Sequence, residues 1–192
     1  MLEHARKIRT LGKRVKGITV LAGAECDIRP DGSMDYPDEV LAQLDLVVGA
    51  VHGRFKQPKA EMTRRICRAL RNPYVNVLAH PTGRLIGERG PYEVDLEQVF
   101  RTARQHDKAV EINALPERLD LNDVHARRAR DLGVLVAIDT DAHVLDQLET
   151  MELGVATARR GWIEKSGVVN ARPIKKLLAW VETSRARARA RA

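Results

Sequence analysis

The chain has 192 residues, of which 44% are hydrophobic and 31% are charged, and its formal net charge is +7. This length and apolar content suffice for one domain with its own core, so folding does not require a disulfide or a structural metal. No apolar run reaches the length of a membrane span, and residues 1–14 lack the apolar middle of a secretory signal, so we expect a cytoplasmic protein. Cys26 and Cys67 lie far apart in the sequence and are expected to be buried thiols.

Short apolar runs alternate with amphipathic stretches along the chain. The runs predicted to be strands are residues 18–22, 46–51, 75–79, 109–112 and 134–138. Apolar residues also recur at helical spacing in residues 62–70 and 96–103, which predicts two helices with one apolar face each. This alternation is typical of βα units, so we predict an α/β fold of about five mainly parallel strands with flanking helices.

Five parallel strands are too few to close a barrel of the usual eight, so the predicted sheet is either open or short of strands. An open edge exposes unpaired backbone groups. Pairing with a second copy of the chain, which would give a homo-oligomer, is one expected way to cover that edge.

The chain closes with a predicted helix over residues 174–181, after Pro173, and then with a basic tail. The last eight residues alternate arginine and alanine, and without them the chain has 29 basic and 26 acidic side chains. We therefore expect residues 1–184 to form one domain and residues 185–192 to be a disordered tail. Such a tail attracts polyanions only non-specifically.

Acidic and imidazole side chains lie at the carboxyl ends of the predicted strands, where parallel α/β folds build their sites. In chain order they are Glu25, His52, His80, Asp139, Asp141 and His143. The first three follow the first, second and third strands, and the last three follow the fifth. If residues 139–143 stay extended, their three ionisable side chains point to the same side.

These residue types suit a divalent metal. Zinc, manganese and iron all accept imidazole nitrogen and carboxylate oxygen, and a carboxylate can bridge two metals. Two neighbouring metals can hold a phosphate and activate water near neutral pH. The pattern therefore favours a metal site that hydrolyses phosphate esters, although a lone histidine in an apolar run is also compatible with a hydrogen-bonded core residue.

Longer stretches of the chain resemble one known family. They are residues 21–28, 31–41, 51–55, 72–74, 79–84, 91–96, 116–122, 139–143 and 159–162. Together they resemble the PHP (polymerase and histidinol phosphatase) domain at the C-terminus of bacterial family X DNA polymerases. The resemblance extends from about residue 2 to residue 181.

The resemblance implies a distorted seven-stranded (β/α) barrel that binds up to three metals, commonly manganese or zinc, and acts as a phosphoesterase. In family X polymerases the domain is similar to a 3′-5′ exonuclease that acts in DNA repair. By this resemblance Glu25 is a bridging carboxylate, and His52 and His80 bind the same metal. Asp141 and His143 match ligands at the final strand. Glu25 and Asp141 are the implied catalytic residues, whereas the residue at position 139 matches no ligand.

The family pattern also contains a His-x-His pair and an Asp-His pair upstream, and neither has a counterpart here. The family's barrel has seven strands, two more than the five predicted here. The resemblance therefore implies an incomplete barrel of PHP type that lacks its N-terminal strands. Glu25, His52 and His80 still give one metal three protein ligands. Asp141 and His143 depend on the missing histidines. We therefore expect about one bound metal and impaired hydrolysis by the isolated chain.

Three arginines near strand ends, Arg54, Arg84 and Arg118, are candidates for holding a substrate phosphate, although loop arginines are often only solvated. Three functions stay open. The first is a phosphodiesterase acting on DNA 3′ ends, which the motifs at residues 31–37 and 80–84 favour. The second is a phosphatase of small phosphomonoesters of the histidinol phosphate kind. The third is a non-catalytic DNA-binding remnant, which the missing ligands favour.

Overall fold

The computed structural model describes residues 1–190, in which seven α-helices accompany one sheet of five strands. The strands are β1 (Gly23–Asp27), β2 (Leu46–Ala50), β3 (Val77–Leu78), β4 (Ala109–Asn113) and β5 (Leu135–Asp139). The helices are α1 (Leu2–Gly12), α2 (Asp38–Leu41), α3 (Lys59–Arg71), α4 (Leu96–Gln105), α5 (Asp123–Asp131), α6 (Met151–Arg160) and α7 (Ile174–Arg189). Three 3₁₀ segments lie at Leu145–Thr150, Lys165–Gly167 and Val169–Ala171.

The sheet is parallel throughout, and its strands lie side by side in chain order from β1 to β5. Strands β1 and β5 are therefore the two edges, and the sheet is open within residues 1–190. The sequence-based prediction of five parallel strands with flanking helices is confirmed. Because all strands run the same way, their carboxyl ends meet along one edge of the sheet, which is where the predicted site residues lie.

The first strand begins later in the chain than predicted. The apolar run expected to form it lies outside the sheet, and Ile18 in that run is 64% exposed. Strand β1 instead pairs with β2 from Gly23, opposite Leu46, onwards. The composition of this strand, Gly-Ala-Glu-Cys-Asp, has little β propensity, and pairing with β2 overrides that preference. As a result Glu25 lies inside the strand rather than after it.

Helices α3 and α4 confirm the helices that apolar spacing predicted. The side chains of Met62, Ile66 and Leu70 are fully buried on one face of α3, and those of Val99 and Phe100 are fully buried on α4. These residues belong to the main hydrophobic core, which holds the helices against the sheet. Among residues 1–190, no helix is both long enough and apolar enough to cross a membrane.

Helix α7 starts where the sequence predicted but runs further. The structure continues this helix through residues 185–189, where a disordered tail was predicted, and residues 191 and 192 lie outside the described part of the chain. The side chain of Arg185 accounts for the continuation. Its guanidinium donates to the carbonyl oxygen of Leu44 at 3.0 Å and lies 3.4 Å from Asn76 Oδ1. Both partners precede strands of the sheet, so the arginine fixes the helix against the amino ends of the strands.

The two cysteines are buried and their thiols are free, as the sequence predicted. Burial, with the nearby Asp35 carboxylate, raises the pKa of Cys26 to about 12. A thiol with such a pKa stays protonated and unreactive at neutral pH.

Helix α6 packs on the sheet through a glycine. A Cβ atom at Gly154 would lie 2.7 Å from Ile138 Cγ2 and 2.8 Å from the Cβ of Ala114. We predict that Gly154→Ala lowers the free energy of unfolding by about 1–3 kcal/mol, because overpacking outweighs the roughly 1 kcal/mol that alanine gains in helix propensity. Urea unfolding measures the change. Val155→Ala, at the exposed next residue, is the control, and a more stable Gly154→Ala protein would contradict this packing.

Candidate metal centre

Three side chains from neighbouring strands meet at the carboxyl edge of the sheet. Glu25 lies in β1, His52 lies two residues after β2, and His80 lies two residues after β3. Glu25 Oε1 is 2.9 Å from His52 Nε2 and 3.6 Å from His80 Nε2. One possible ligand atom from each residue lies within 4.8 Å of the other two. The structure therefore brings these three predicted site residues together.

Strand alternation places two carboxylates of β1 on the side of the cluster. Glu25 and Asp27 are two residues apart and share a face, whereas Cys26 between them points into the core. In the β1–β2 register Asp27 lies opposite Ala50, so the loop that carries His52 begins beside these carboxylates. Parallel pairing alone thus brings the acidic strand and the first imidazole together.

A buried arginine of α3 holds the loops that follow β1 and β2. The guanidinium of Arg65 donates from Nε to the carbonyl oxygen of Ile28 at 3.0 Å, and from Nη1 to that of Gly53 at 2.8 Å. Nη1 also lies 2.9 Å from Gln57 Oε1. Charged groups are rarely buried without such partners. Arg65 therefore fixes the spacing between the loop after Glu25 and the loop that carries the first imidazole.

The loop after β3 holds the second imidazole in an unusual backbone conformation. His80 has φ 46°, in the left-handed region that costs a non-glycine residue about 1–3 kcal/mol. The Asp120 carboxylate accepts the backbone N–H of Gly83 at 3.0 Å, and the Tyr92 hydroxyl lies 3.2 Å from the carbonyl oxygen of His80. Gly83 itself has φ 65°, and a Cβ atom there would overlap the Tyr92 ring. Buried polar contacts therefore maintain this strained turn.

Each imidazole has a second carboxylate at its other ring nitrogen. His52 Nδ1 lies 2.6 Å from Asp27 Oδ1, and His80 Nδ1 lies 3.1 Å from Glu111 Oε2. Neither Asp27 nor Glu111 was predicted from the sequence to belong to the site. Asp27 could have been predicted from its position two residues after Glu25 on one strand, which puts both side chains on the same face. The signal for Glu111 was an acidic residue inside an apolar run, where burial requires a partner.

The carboxylates and imidazoles of the cluster shift one another's pKa values. Burial acts against the charged form of Glu25, but hydrogen bonds from the two imidazoles hold the pKa of Glu25 well below its usual range. Burial also opposes protonation of His80, yet hydrogen bonds to Glu111 and Glu25 raise the pKa of His80 to about 10. The bond to Glu25 outweighs burial at His52, and with Asp27 it raises the pKa of His52. Without a metal, the His80 imidazole is therefore protonated at neutral pH, and the protonated form of His52 is favoured relative to a free imidazole.

Residues 139–143, after β5, do not stay extended, so their ionisable side chains do not share one side as they would in an extended segment. Strand β5 ends at Asp139, and Asp141 has φ 47°, so the three side chains diverge. Burial and the neighbouring Glu111 carboxylate raise the pKa of Asp139, whose Oδ1 accepts the backbone N–H of Asp141 at 3.2 Å. Asp141 Oδ2 lies 3.7 Å from His80 Nε2, whereas the His143 side chain is 78% exposed. His143 Nδ1 instead donates to the backbone oxygen of Asp141 at 2.7 Å.

The three candidate arginines occupy different environments. Arg118 Nε lies 3.7 Å from Asp141 Oδ2, so its guanidinium borders the cluster. Arg84 donates to the carbonyl oxygens of Arg118, at 2.8 Å, and of Leu119, which means that it braces the loop rather than facing the cluster. Arg54 is exposed and has φ 58°. Of the three, Arg118 lies where a phosphate beside the cluster would meet it.

The donor set fits a divalent metal. Ligand atoms about 2.1 Å from a tetrahedral ion lie roughly 3.4 Å apart, and the two measured nitrogen–oxygen separations in the cluster, 2.9 and 3.6 Å, bracket that value. Glu25 supplies an ionised carboxylate oxygen and His52 and His80 supply two imidazole nitrogens. Small movements of the side chains would therefore suffice to admit an ion.

Similar proteins support this interpretation of the site. No protein-family model matches the chain. It is 43% identical over 180 residues to the DNA polymerase/3′-5′ exonuclease PolX of Bacillus subtilis, a match that covers 94% of this chain and 32% of that polymerase. It is 27% identical over 173 residues to a probable phosphatase of Thermoanaerobacter sp. strain X514, covering 85% of this chain and 68% of that phosphatase.

A solved structure shares the fold. The crystal structure of histidinol phosphate phosphatase from Lactococcus lactis subsp. lactis Il1403, complexed with zinc, L-histidinol and phosphate, matches with a TM-score of 0.59 and 18% identity. The match covers 85% of this chain and 75% of that one. The chain is thus homologous to about one third of a DNA polymerase/3′-5′ exonuclease and to probable phosphatases, and it shares its fold with a histidinol phosphate phosphatase, which confirms the predicted resemblance to the PHP (polymerase and histidinol phosphatase) domain.

Proposed function

We propose that this chain is a metal-dependent phosphoesterase in which Glu25, His52 and His80 hold a divalent ion. The observation that carries the proposal is the convergence of one carboxylate oxygen and two imidazole nitrogens within 4.8 Å of one another. Their chemistry suits zinc and manganese, and zinc is present in the structure of the histidinol phosphate phosphatase with the same fold. Such an ion supplies positive charge to bind a phosphate and lowers the pKa of bound water.

Residues around the proposed ion have separate tasks. Glu25, whose pKa is held well below its usual range, gives up no proton at neutral pH to become a ligand, whereas His80, with a pKa of about 10, must lose one. The Asp141 carboxylate, 3.7 Å from His80 Nε2, is close enough to complete the ligand set or to accept a proton during hydrolysis. Arg118, beside Asp141, would bind a phosphate oxygen and offset its charge. His143 is exposed and takes no part in this arrangement.

A DNA 3′ end is the substrate that we favour. The relative that is 43% identical is named a DNA polymerase/3′-5′ exonuclease, and the match covers nearly the whole of this chain. A small phosphomonoester is the second candidate, because a probable phosphatase is similar in sequence and a histidinol phosphate phosphatase is similar in fold.

We further propose that about one ion binds per chain and that the protein acts in the cytoplasm, where its free thiols stay reduced.

The first test compares substrates and a ligand variant. With manganese or zinc added, we expect the chain to shorten single-stranded DNA from its 3′ end slowly, because ligands of the family pattern are missing, but more efficiently than it hydrolyses histidinol phosphate. Glu25→Gln removes the anionic ligand and should reduce turnover at least about 100-fold and metal content to background. Elemental analysis measures the metal, and a value near one ion per chain is expected. Glu61→Gln, on the exposed surface of α3, is the matched control.

Three outcomes distinguish the alternatives. Faster hydrolysis of the monoester would favour the phosphatase. DNA binding that survives both a chelator and Glu25→Gln, with no hydrolysis, would support a non-catalytic remnant. Full metal content and turnover in Glu25→Gln would contradict the proposed site.

Metal affinity is predicted to rise with pH. The pKa of His80 in the metal-free protein is about 10, so this imidazole is protonated at pH 7, and the raised pKa of His52 acts in the same direction. His80 must lose its proton to bind, so at least about one proton leaves per ion, and the dissociation constant falls by at least about 10-fold per pH unit between pH 6 and 8. Calorimetry in buffers of different ionisation enthalpy counts the released protons. Binding without proton release would contradict the proposed ligands.

Arg118 provides a test of phosphate binding. Arg118→Ala should lower kcat/KM for DNA hydrolysis by roughly 10- to 100-fold, mainly through a higher KM, because a charged hydrogen bond to phosphate is lost. Metal content should be unchanged. Steady-state kinetics measure both parameters. Arg101→Ala, an exposed arginine of α4, is the control, and equal kinetics for the two variants would exclude Arg118 from the substrate site.

A further inference from the structure

The proposed metal ligands belong to a longer row of alternating carboxylates and imidazoles. From the interior outward the row is Glu111, His80, Glu25, His52 and Asp27. The successive separations are 3.1, 3.6, 2.9 and 2.6 Å. The row runs from Glu111 and His80, which are buried, to Asp27 at the surface. At each imidazole ring, the end carboxylate contacts Nδ1, the nitrogen that faces away from Glu25.

Both imidazoles use their ring nitrogens in the same way. Each turns Nδ1 toward an end carboxylate and Nε2 toward Glu25, although His52 and His80 come from different loops and differ in exposure, at 40% and 2%. A neutral imidazole carries its hydrogen on one nitrogen only. A carboxylate at Nδ1 retains the hydrogen there and leaves the Nε2 lone pair directed at the centre of the cluster.

Glu111 controls the backbone of its histidine as well as the ring. The same atom, Glu111 Oε2, accepts the backbone N–H of His80 at 2.8 Å and lies 3.1 Å from His80 Nδ1. That backbone N–H belongs to the residue with φ 46°, so the bond supports the strained turn as well as the orientation of the ring. Asp27 reaches the other ring from the strand that carries Glu25, which fixes the distance between the two carboxylates.

We propose that Asp27 and Glu111 are positioning residues: by accepting the Nδ1 hydrogens of His52 and His80, they direct both Nε2 atoms toward the ion. This inference rests on the proposed metal site. Neither residue is assigned as a ligand or a catalytic group. Each acts through one imidazole, so the loss of one end carboxylate should disturb its own histidine and leave the other unchanged.

The experiment combines zinc affinity with the state of each ring nitrogen in the full chain. Competition with a chelator should give a zinc dissociation constant about 10- to 100-fold higher for Asp27→Asn and for Glu111→Gln than for the unmodified chain. Asp31→Asn removes the same charge from an exposed carboxylate that bonds Ser33 instead of an imidazole, and it should change the affinity by less than about twofold. Thermal unfolding identifies any variant that fails to fold. Because Asp27 is exposed, Asp27→Asn keeps the test decisive even if Glu111→Gln does not fold.

Long-range proton–nitrogen NMR spectra of the zinc-loaded chain supply the second measurement. We expect hydrogen on Nδ1 and zinc on Nε2 of both imidazoles, and a change only at His52 in Asp27→Asn. Zinc on Nδ1 of either imidazole, or equal affinities for Asp27→Asn and Asp31→Asn, would overturn the proposal. Zinc bound through Nε2 without hydrolysis would refute the phosphoesterase function and leave the positioning role intact. Failure of the unmodified chain to bind zinc would overturn both.

Discussion

The Glu25 carboxylate between two imidazoles is the interaction on which the site depends. One oxygen lies 2.9 Å from His52 Nε2 and 3.6 Å from His80 Nε2, so a single anion holds two side chains from separate strands. In the metal-free protein the hydrogen bonds to Glu25 raise the pKa of both imidazoles, so they supply positive charge beside this carboxylate. A divalent ion would supply positive charge at the same place. The cluster can therefore keep nearly the same arrangement with protons or with a metal, which makes it a preorganised binding site.

Packing beneath the cluster provides the required rigidity. The three ligand positions lie on or just after parallel strands, but two of them lie in loops, and loops alone hold side chains poorly. Buried polar groups compensate for this. Arg65 joins the loops after β1 and β2, and Asp120 holds the loop after β3. Each is an ionisable group with little solvent contact, and most of the hydrogen bonds that each makes are to backbone atoms. The core thus determines the spacing of the site.

The sequence predicted the parts of the site that depend on strand ends. His52 and His80 stand out because each is a polar residue at the end of an apolar run, and parallel strands align such ends. The first strand was placed too early because the apolar run around Ile18 looks more like a strand than the segment containing Glu25. Pairing with a neighbouring strand determines where the first strand begins, and a single stretch of sequence does not reveal that pairing.

Turn geometry and partner choice were harder to predict. A left-handed conformation at Asp141 breaks the extended run that would have aligned residues 139–143. Aspartate adopts this conformation more readily than most residues, but its presence alone does not predict the turn. Glu111 and Asp27 were missed for a different reason: their roles follow from which nitrogen each carboxylate contacts, a three-dimensional property. The helical continuation through Arg185 likewise depends on distant carbonyl and amide oxygens.

The row of carboxylates and imidazoles spans a gradient of exposure. Its inner end is deeply buried at Glu111, whereas Asp27 at the other end is exposed. Asp141 and Arg118 border the inner part of the row, because Asp141 Oδ2 lies 3.7 Å from His80 Nε2 and Arg118 Nε lies 3.7 Å from Asp141 Oδ2. Burial strengthens electrostatic interactions, so the ionisation of His80 depends mainly on its protein partners, whereas water partly screens the interaction between His52 and Asp27. The two imidazoles therefore direct Nε2 toward the same carboxylate in environments of different polarity.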